Sequence, residues 1–413
     1  MKAAVIGLGR LGLPLAALAS IFRTASATIG VDKDEQRVAD VRARLAPFPE
    51  PNLQDMLDTG HLRATTSISD AVKETDLAII LVATPSLGSR FFDITAVLDV
   101  ARAVAMAVEE HDHKNYTLIV SSTVNPGDCV DEIGPLIHSI AGASIHLAYV
   151  PEFVALGSVI GDFAMPQMIV VGAEDEVARV MAKDWYYSLT VSCTKVHCMD
   201  LTSAELTKIG LNFAVSAKIA VANLLGIIAD DVGANIDLVT GAIGDDDRIG
   251  KKYFRSGGPL GGNCFPRDVR MTNALEEYTF FANAIQSVDR EISGTVRYRA
   301  REWLVARGGQ AAVMGLTFKP GTDVVGESLG DWLKDKLPLG RVLLYDPILT
   351  PLVDPQEIAD MATVIVIAHN DDRYRSLVFS DEQLVIDVWG VLDPSVAKNY
   401  YSIGRGHETP DQV

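Results

Sequence analysis

Gly7-Leu8-Gly9-Arg10-Leu11-Gly12 narrows the possible folds more than any other stretch of the chain. Lys2–Ile6 before it reads as a short buried strand, and the apolar run Leu13–Phe22 after it as a helix. Ala27–Val31 predicts a second strand, which ends at Asp32. Strand, glycine turn, helix, strand and acid form a dinucleotide-binding unit. The first glycine makes the turn, the second lets a pyrophosphate approach, and the third packs helix on strand. Asp32 stands about 20 residues beyond, where a carboxylate accepts from a ribose 2′-OH and repels a 2′-phosphate. The expected cofactor is therefore NAD rather than NADP, held by Gly7, Gly9, Arg10, Leu11, Gly12 and Asp32.

The alternation continues. Leu77–Val82 reads as a strand ending at Thr84-Pro85, Leu118–Ser121 as one ending at Thr123, and Ile145–Tyr149 as one ending at Pro151-Glu152-Phe153. Ligands of an open parallel sheet bind at such carboxyl ends, so Thr84, Pro85, Thr123 and Glu152 are candidate site residues. Each is also an ordinary helix-cap or turn residue. Met168–Gly172 and Thr194–Val196 close the domain. From Thr202 to about Asp231 the pattern turns helical, with Ser203 as the expected cap and Glu205 in the first turn. Lys208 and Asn212 are spaced i, i+4 and share a face, where together they can polarise a substrate oxygen. The apolar run Phe213–Ile228 points to subunit contact as well as core.

A charged helix is expected from about Val288 to Arg307. Strands then follow at Ala311–Phe318, Arg341–Tyr345, Met361–Ala368 and Leu384–Val388. The predicted fold class is α/β: two Rossmann-like parallel-sheet domains, 1–199 and 296–413, joined by a central helical dimerisation domain, 200–295. The tail from Arg405 is polar.

Between the sheets lies Gly257–Asp268, GGPLGGNCFPRD. Pro266 suits the first turn of a helix, which places Cys264 at a helix N-terminus. There the dipole and free N–H groups favour a thiolate. The glycines leave room for the backbone to approach a ligand. Asp268 falls one turn later on the same face, so the stretch reads as a covalent catalytic site or as a structural cysteine on a glycine turn. Arg248, Lys251, Lys252, Arg255 and Arg267 gather around it in sequence and form a candidate phosphate site.

The net charge of −18 speaks against a nucleic-acid or anionic-membrane partner. Four cysteines in 413 residues do not make a disulfide framework. Cys193, His197 and Cys198 lack metal-ligand spacing, and no metal is expected. The apolar stretches Leu11–Phe22 and Ile219–Ala229 fall short of the roughly 18 residues of a membrane span, so a cytoplasmic location is expected.

Taken together, several motifs resemble the UDP-glucose/GDP-mannose dehydrogenase family over nearly the whole chain. They are GLGRLG with Asp32, Ser122-Thr123-Val124 with Pro126-Gly127, Pro151-Glu152-Phe153, Ala204-Glu205-Leu206 with Lys208 and Asn212, Arg248-Ile249-Gly250, GGNCFPRD, and Gly315 to Asp323. The resemblance implies two successive NAD-dependent oxidations of a nucleotide sugar at C6, through a thiohemiacetal and then a thioester on Cys264. It implies that Glu152 serves the hydrolytic water, that Lys208 and Asn212 stabilise oxyanions, and that Asp268 and Thr123 order water and assist proton transfer. By the same resemblance, Phe153, Lys208, Asn212, Tyr253, Gly261 and Lys319 contact the substrate, and Arg248 reaches the site of a partner in a homodimer. The chain departs from the family pattern at Leu156, where a second glutamate is usual, at Gly326, where an arginine is common, and at Leu260, where phenylalanine is usual. A two-electron hydroxyacid dehydrogenase shares the dinucleotide domain and the Lys/Asn helix. It needs neither Cys264 nor a second sheet domain.

Overall fold

The computed structural model describes residues 1–22, 28–87, 91–192, 194–272, 279–337 and 342–405. Ala27, Cys193, Arg341 and the tail beyond Arg405 lie outside the described residues. The chain divides into two compact units, Met1–Gly210 and Leu211–Val413.

The first unit is built on eight strands: β1 Ala3–Ile6, β2 Thr28–Val31, β3 Arg63–Thr65, β4 Leu77–Ile80, β5 Tyr116–Val120, β6 Ile145–Tyr149, β7 Ile169–Ala173 and β8 Val196–Met199. Their order across the sheet is β3-β2-β1-β4-β5-β6-β7-β8. The first six follow the order of a dinucleotide-binding sheet. All neighbours pair in parallel except β6 and β7, which run antiparallel. Continuous apolar runs are what a sheet buried on both faces requires, and successive residues divide between two cores. Ala3, Val5, Leu77, Ile79 and Ile119 enter one; Ala4, Ile6, Ala78, Ile80, Leu118 and Val120 enter the other. The sequence pattern missed β3, whose three edge residues include an exposed arginine and carry no hydrophobic signal. Helix α1, Gly12–Phe22, buries nine residues against this sheet. Also used below are α2 Glu35–Arg42, α3 Gly134–Ala141 and α4 Glu176–Tyr187.

Helix α5, Leu201–Val232, runs from the first unit into the second. Ser203 does not cap it. The Asp200 carboxylate accepts the Ser203 N–H at 2.8 Å and the Ser203 hydroxyl at 2.7 Å, because an acid one residue before the helix outcompetes a hydroxyl inside it. Glu205 is fully buried and accepts the N–H groups of Gly127 and Cys129 at 2.6 and 2.8 Å. Among the described residues α5 is the one helix long and apolar enough to cross a membrane, yet Glu205, Asn212, Ser216 and Asn223 on it are buried and hydrogen-bonded within the protein. Val221, Leu224, Ile228 and Val232 stay exposed along it at i, i+3, i+7 and i+11.

The second unit carries α6 Phe265–Thr272, α7 Thr279–Arg307 and a parallel sheet of β9 Ala311–Met314, β10 Leu343–Tyr345, β11 Val364–Ile367, β12 Leu384–Asp387 and β13 Asn399–Tyr401. The order β10-β9-β11-β12-β13 is the other common doubly wound arrangement. Helix α7 begins nine residues before the expected Val288. Its uncharged first turns, Thr279–Ser287, carried none of the charge pattern that marked its later part.

The two sheets repeat one local device. In the first, Gly7 (φ +100°) follows β1 and its N–H binds Val31 O at 2.8 Å, while Asp32 after β2 accepts the Leu8 N–H at 2.7 Å. In the second, Gly315 (φ +101°) follows β9 and its N–H binds Tyr345 O at 2.8 Å, while Asp346 after β10 accepts the Leu316 N–H at 2.9 Å. Asp346 is fully buried, and hydrogen bonds from backbone and side-chain donors hold its carboxyl far below the usual range despite that burial.

Candidate active site

Each glycine of the first turn meets a different physical demand. A Cβ on Gly7 would lie 2.3 Å from Leu81 O, and one on Gly12 would lie 1.9 Å from Gly7 O, so the protein's own packing excludes side chains there. Nothing lies within 4 Å of the Cβ position of Gly9. That glycine faces open space, as a position meant for a ligand's pyrophosphate should. The Asp32 carboxylate accepts from Leu8 N–H at 2.7 Å and from Asp34 N–H at 2.9 Å, which fixes it beside the turn. Arg10 of the turn and Arg37 of α2 both lie over the Phe48 ring, at 5.4 and 5.2 Å from its centroid. One guanidinium nitrogen of Arg37 is buried without a partner, a donor suited to a ligand phosphate or ribose. These residues fit NAD. Arg37 and Phe48 carried no motif, and only their meeting in space reveals them. Thr84 is buried and Pro85 exposed in the segment after β4.

At the end of β6, Glu152 is buried and its carboxyl is pushed up to about 8. Burial disfavours the charged form; the Tyr186 hydroxyl, donating at 2.8 Å, and the Lys208 charge oppose it more weakly. Tyr186, the penultimate residue of α4, also bonds the Ser121 hydroxyl at 2.7 Å, making a buried line Ser121–Tyr186–Glu152. Sequence reading missed Tyr186 and Ser121, since a tyrosine in Trp-Tyr-Tyr on an amphipathic helix reads as core. Lys208 donates to the Glu152 carbonyl at 2.5 Å and lies 5.3 Å from the Phe153 ring centroid. Thr123 is half-buried after β5, where the neighbouring Ser122 hydroxyl ties to the Val82 backbone at 2.9 Å. The loop after Glu152 is pinned by Glu50, which accepts the N–H groups of Gly157 and Val159, each at 2.9 Å. Leu156 packs against the core of the unit.

In the second unit Cys264 is exposed and directly precedes α6. Its carbonyl accepts the Asp268 N–H at 2.8 Å, the first bond of the helix, so the cysteine stands at the N-cap as the sequence predicts. Asp268 is fully buried. It accepts from the Asn212 amide at 2.5 Å and from Arg267 Nε at 3.1 Å. The pairing joins residues 56 apart, which no local spacing could predict.

The glycines around the cysteine correct one expectation. A Cβ on Gly257 or Gly258 would sit 2.3 or 2.9 Å from the Trp389 ring, and one on Gly262 2.9 Å from the Phe318 ring. A Cβ on Gly261 would meet the Phe318 Cβ rather than its ring, at 3.3 Å. Gly257, Gly258 and Gly262 make room for the protein's own aromatic rings. Buried Asn223 holds the first pair, accepting the Gly257 N–H at 2.9 Å and donating to Gly258 O at 3.0 Å. Four of the five cations of the basic run are ion-paired. Arg248 pairs with Asp246 at 2.6 Å, Lys251 with Asp245 at 2.5 Å, Arg255 with Asp237 at 3.8 Å and Arg267 with Asp268. Arg248 is nonetheless 87% exposed. Tyr253 holds a left-handed φ of +62° with its ring edge-on to Phe265. Lys319 follows β9 and lies 5.6 Å from the Phe318 ring centroid.

Comparison with known proteins agrees with this geometry. The UDP-glucose/GDP-mannose dehydrogenase family matches through its NAD binding domain over residues 1–190 and its central domain over residues 202–291. The putative UDP-glucose 6-dehydrogenase YtcA of Bacillus subtilis is 32% identical over 84% of this chain and 82% of its own length. The UDP-glucose 6-dehydrogenase of Rhizobium meliloti is 28% identical over 98% of this chain and 100% of its own. Among solved structures, a UDP-glucose dehydrogenase from Pyrobaculum islandicum superposes with a TM-score of 0.88 at 29% identity, covering 98% of this chain and 97% of that one. The chain belongs to the UDP-glucose/GDP-mannose dehydrogenase family and is an NAD-dependent nucleotide-sugar dehydrogenase.

Proposed function

We propose that the protein oxidises the C6 alcohol of a nucleotide sugar to the carboxylate, in the manner of UDP-glucose to UDP-glucuronate, with Cys264 as covalent nucleophile. The observation that carries this reading is the exposed cysteine at the N-cap of α6, with Asp268 buried one turn on in the grip of Asn212 and Arg267. When bound, NAD supplies the hydride acceptor for both oxidations. Deprotonated Cys264 adds to the C6 aldehyde, and hydride loss from the thiohemiacetal leaves a thioester. Lys208 Nζ and the Asn212 amide, one turn apart on α5, donate to the oxygen on which charge develops. Glu152, once ionised, takes a proton from the water that cleaves the thioester. Asp268 and Thr123 order water. Gly7, Gly9, Arg10, Leu11, Gly12, Asp32, Thr84, Pro85 and Thr123 hold the cofactor, while Phe153, Tyr253, Gly261 and Lys319 line the sugar nucleotide. UDP-glucose is favoured over GDP-mannose by the relatives' names.

The assignment extends to three segments, 1–199, 200–295 and 296–413, and to a cytoplasmic homodimer. The exposed stripe Val221, Leu224, Ile228 and Val232 supports self-association through α5, and Arg248, exposed though paired with Asp246, exchanges that carboxylate for a partner's substrate. A panel of nucleotide sugars assayed for NADH tests the function. The reading predicts two NADH per UDP-glucose and no free aldehyde. One NADH per sugar, or no turnover of any nucleotide sugar, overturns it.

A further inference from the structure

Away from the proposed active site, the first unit gathers two histidines and two carboxylates. His146 is the second residue of β6, Glu174 and Asp175 form the turn between β7 and α4, and His138 is on α3. His146 Nδ1 lies 2.5 Å from Asp175 Oδ2, and His138 Nε2 lies 2.9 Å from Glu174 Oε2. The ligand atoms of His146, Glu174 and Asp175 all lie within 4.8 Å of one another.

The outward-facing halves of these side chains are already fixed. Glu174 Oε1 accepts the Leu147 N–H at 2.7 Å, and Asp175 Oδ1 accepts the Ala178 N–H at 2.8 Å. His138 Nδ1 faces Gly142 O at 3.1 Å, and His146 Nε2 faces Asn115 Oδ1 at 3.4 Å. Both far nitrogens face oxygen atoms that can accept from them. The nitrogens turned toward the carboxylates, His138 Nε2 and His146 Nδ1, are then the ones placed to ligate a cation. Metal-binding histidines are characteristically oriented this way, with the second N–H on a carbonyl or amide oxygen.

We propose that His138, His146, Glu174 and Asp175 form a site for a divalent transition cation of the zinc type. Two imidazoles and two carboxylate oxygens suit zinc, whereas magnesium and calcium favour oxygen alone. Tetrahedral bonds of about 2.0–2.2 Å set ligand atoms roughly 3.4 Å apart. The ligand atoms of His146, Glu174 and Asp175 lie within 4.8 Å of one another, and His138 Nε2 joins them through Glu174 at 2.9 Å. Two carboxylates neutralise the charge of the ion, and two imidazoles complete its coordination. The cation ties the start of β6 to the start of α4. The opposite ends of those elements carry Glu152 and Tyr186, so the site holds the frame of the proposed base without touching it.

The test uses metal-free full-length protein at pH 7.5, titrated with zinc in competition with a chromophoric chelator. The wild type takes up one equivalent that Cys264→Ser retains. His146→Gln and Asp175→Asn each weaken it by at least about tenfold; asparagine preserves the helix cap, so the second variant folds even if the first does not. Cobalt in the same site gives a tetrahedral visible spectrum without a thiolate charge-transfer band. Zinc raises the thermal midpoint of the wild type and not that of Asp175→Asn. No uptake at micromolar zinc, uptake unchanged in both variants, or a thiolate band from cobalt overturns the proposal.

Discussion

Replacing Glu152 by glutamine removes a buried proton site and leaves its shape. In the folded protein that carboxyl titrates at about 8, against 4.5 for an exposed one. Between those values the native state holds a proton that the unfolded chain has released. The slope of unfolding free energy with pH is therefore negative, and stability that is complete below pH 4.5 is lost as pH rises through 8. At about 1.4 kcal/mol per unit, the window amounts to roughly 5 kcal/mol. Glu152→Gln has no such slope. Urea midpoints of both proteins at intervals from pH 5 to 9 should show the wild type losing several kcal/mol relative to the variant. Parallel pH profiles would refute the reasoning, for Glu152 would then be solvated or already ionised near pH 5. The same titration governs chemistry. At pH 7 only about a tenth of the carboxyl is ionised, so thioester hydrolysis should rise with pH to a plateau above 8. The variant should lose roughly 10²–10⁴-fold in that step.

Three further outcomes follow from the site. Tyr186→Phe removes the hydroxyl that favours ionised Glu152, so the pH–rate midpoint should move alkaline while NAD affinity holds; an unchanged profile contradicts the pairing. Asp32→Ser should narrow the preference for NAD over NADP in kcat/KM and cost some stability through the lost Leu8 N–H acceptor, whereas comparable use of both cofactors by the wild type contradicts the NAD assignment. Leu224→Glu with Ile228→Glu should convert a dimer to monomer in light scattering, with activity lost if Arg248 completes a neighbouring site; a fully active monomer contradicts that role.

What was legible in the sequence was local. Gly7 to Gly12 and Asp32 fall where the sequence predicts a turn and a strand end, because one short βαβ unit contains every part of the device, and the buried strands announce themselves as apolar runs. Cys264 at a helix start is legible for the same reason, from Pro266 two residues on. Distance in sequence hides the rest. Asp268 meets Asn212, Tyr186 meets Glu152, and Arg37 meets Phe48 only after folding. Glycines read as ligand space, Gly257, Gly258 and Gly262, instead accommodate Trp389 and Phe318; from sequence, a glycine facing a ligand and one facing an aromatic ring look alike. The strands β3 and β13 bury one residue each, so no apolar run marks them. The second glycine–aspartate device, Gly315 with Asp346, escaped notice because its turn lacks the close spacing of the first.

Everything proposed for the chemistry turns on a covalent acyl intermediate on Cys264. The direct measurement is intact mass of Glu152→Gln, quenched after mixing with NAD and the nucleotide sugar that the wild type turns over, followed by peptide mapping. A mass gain equal to the acyl form of that nucleotide sugar is expected, located on the peptide bearing Cys264 and missing when Cys264→Ser is added. Wild-type turnover by Glu152→Gln with no adduct, or an adduct that persists without Cys264, would contradict it.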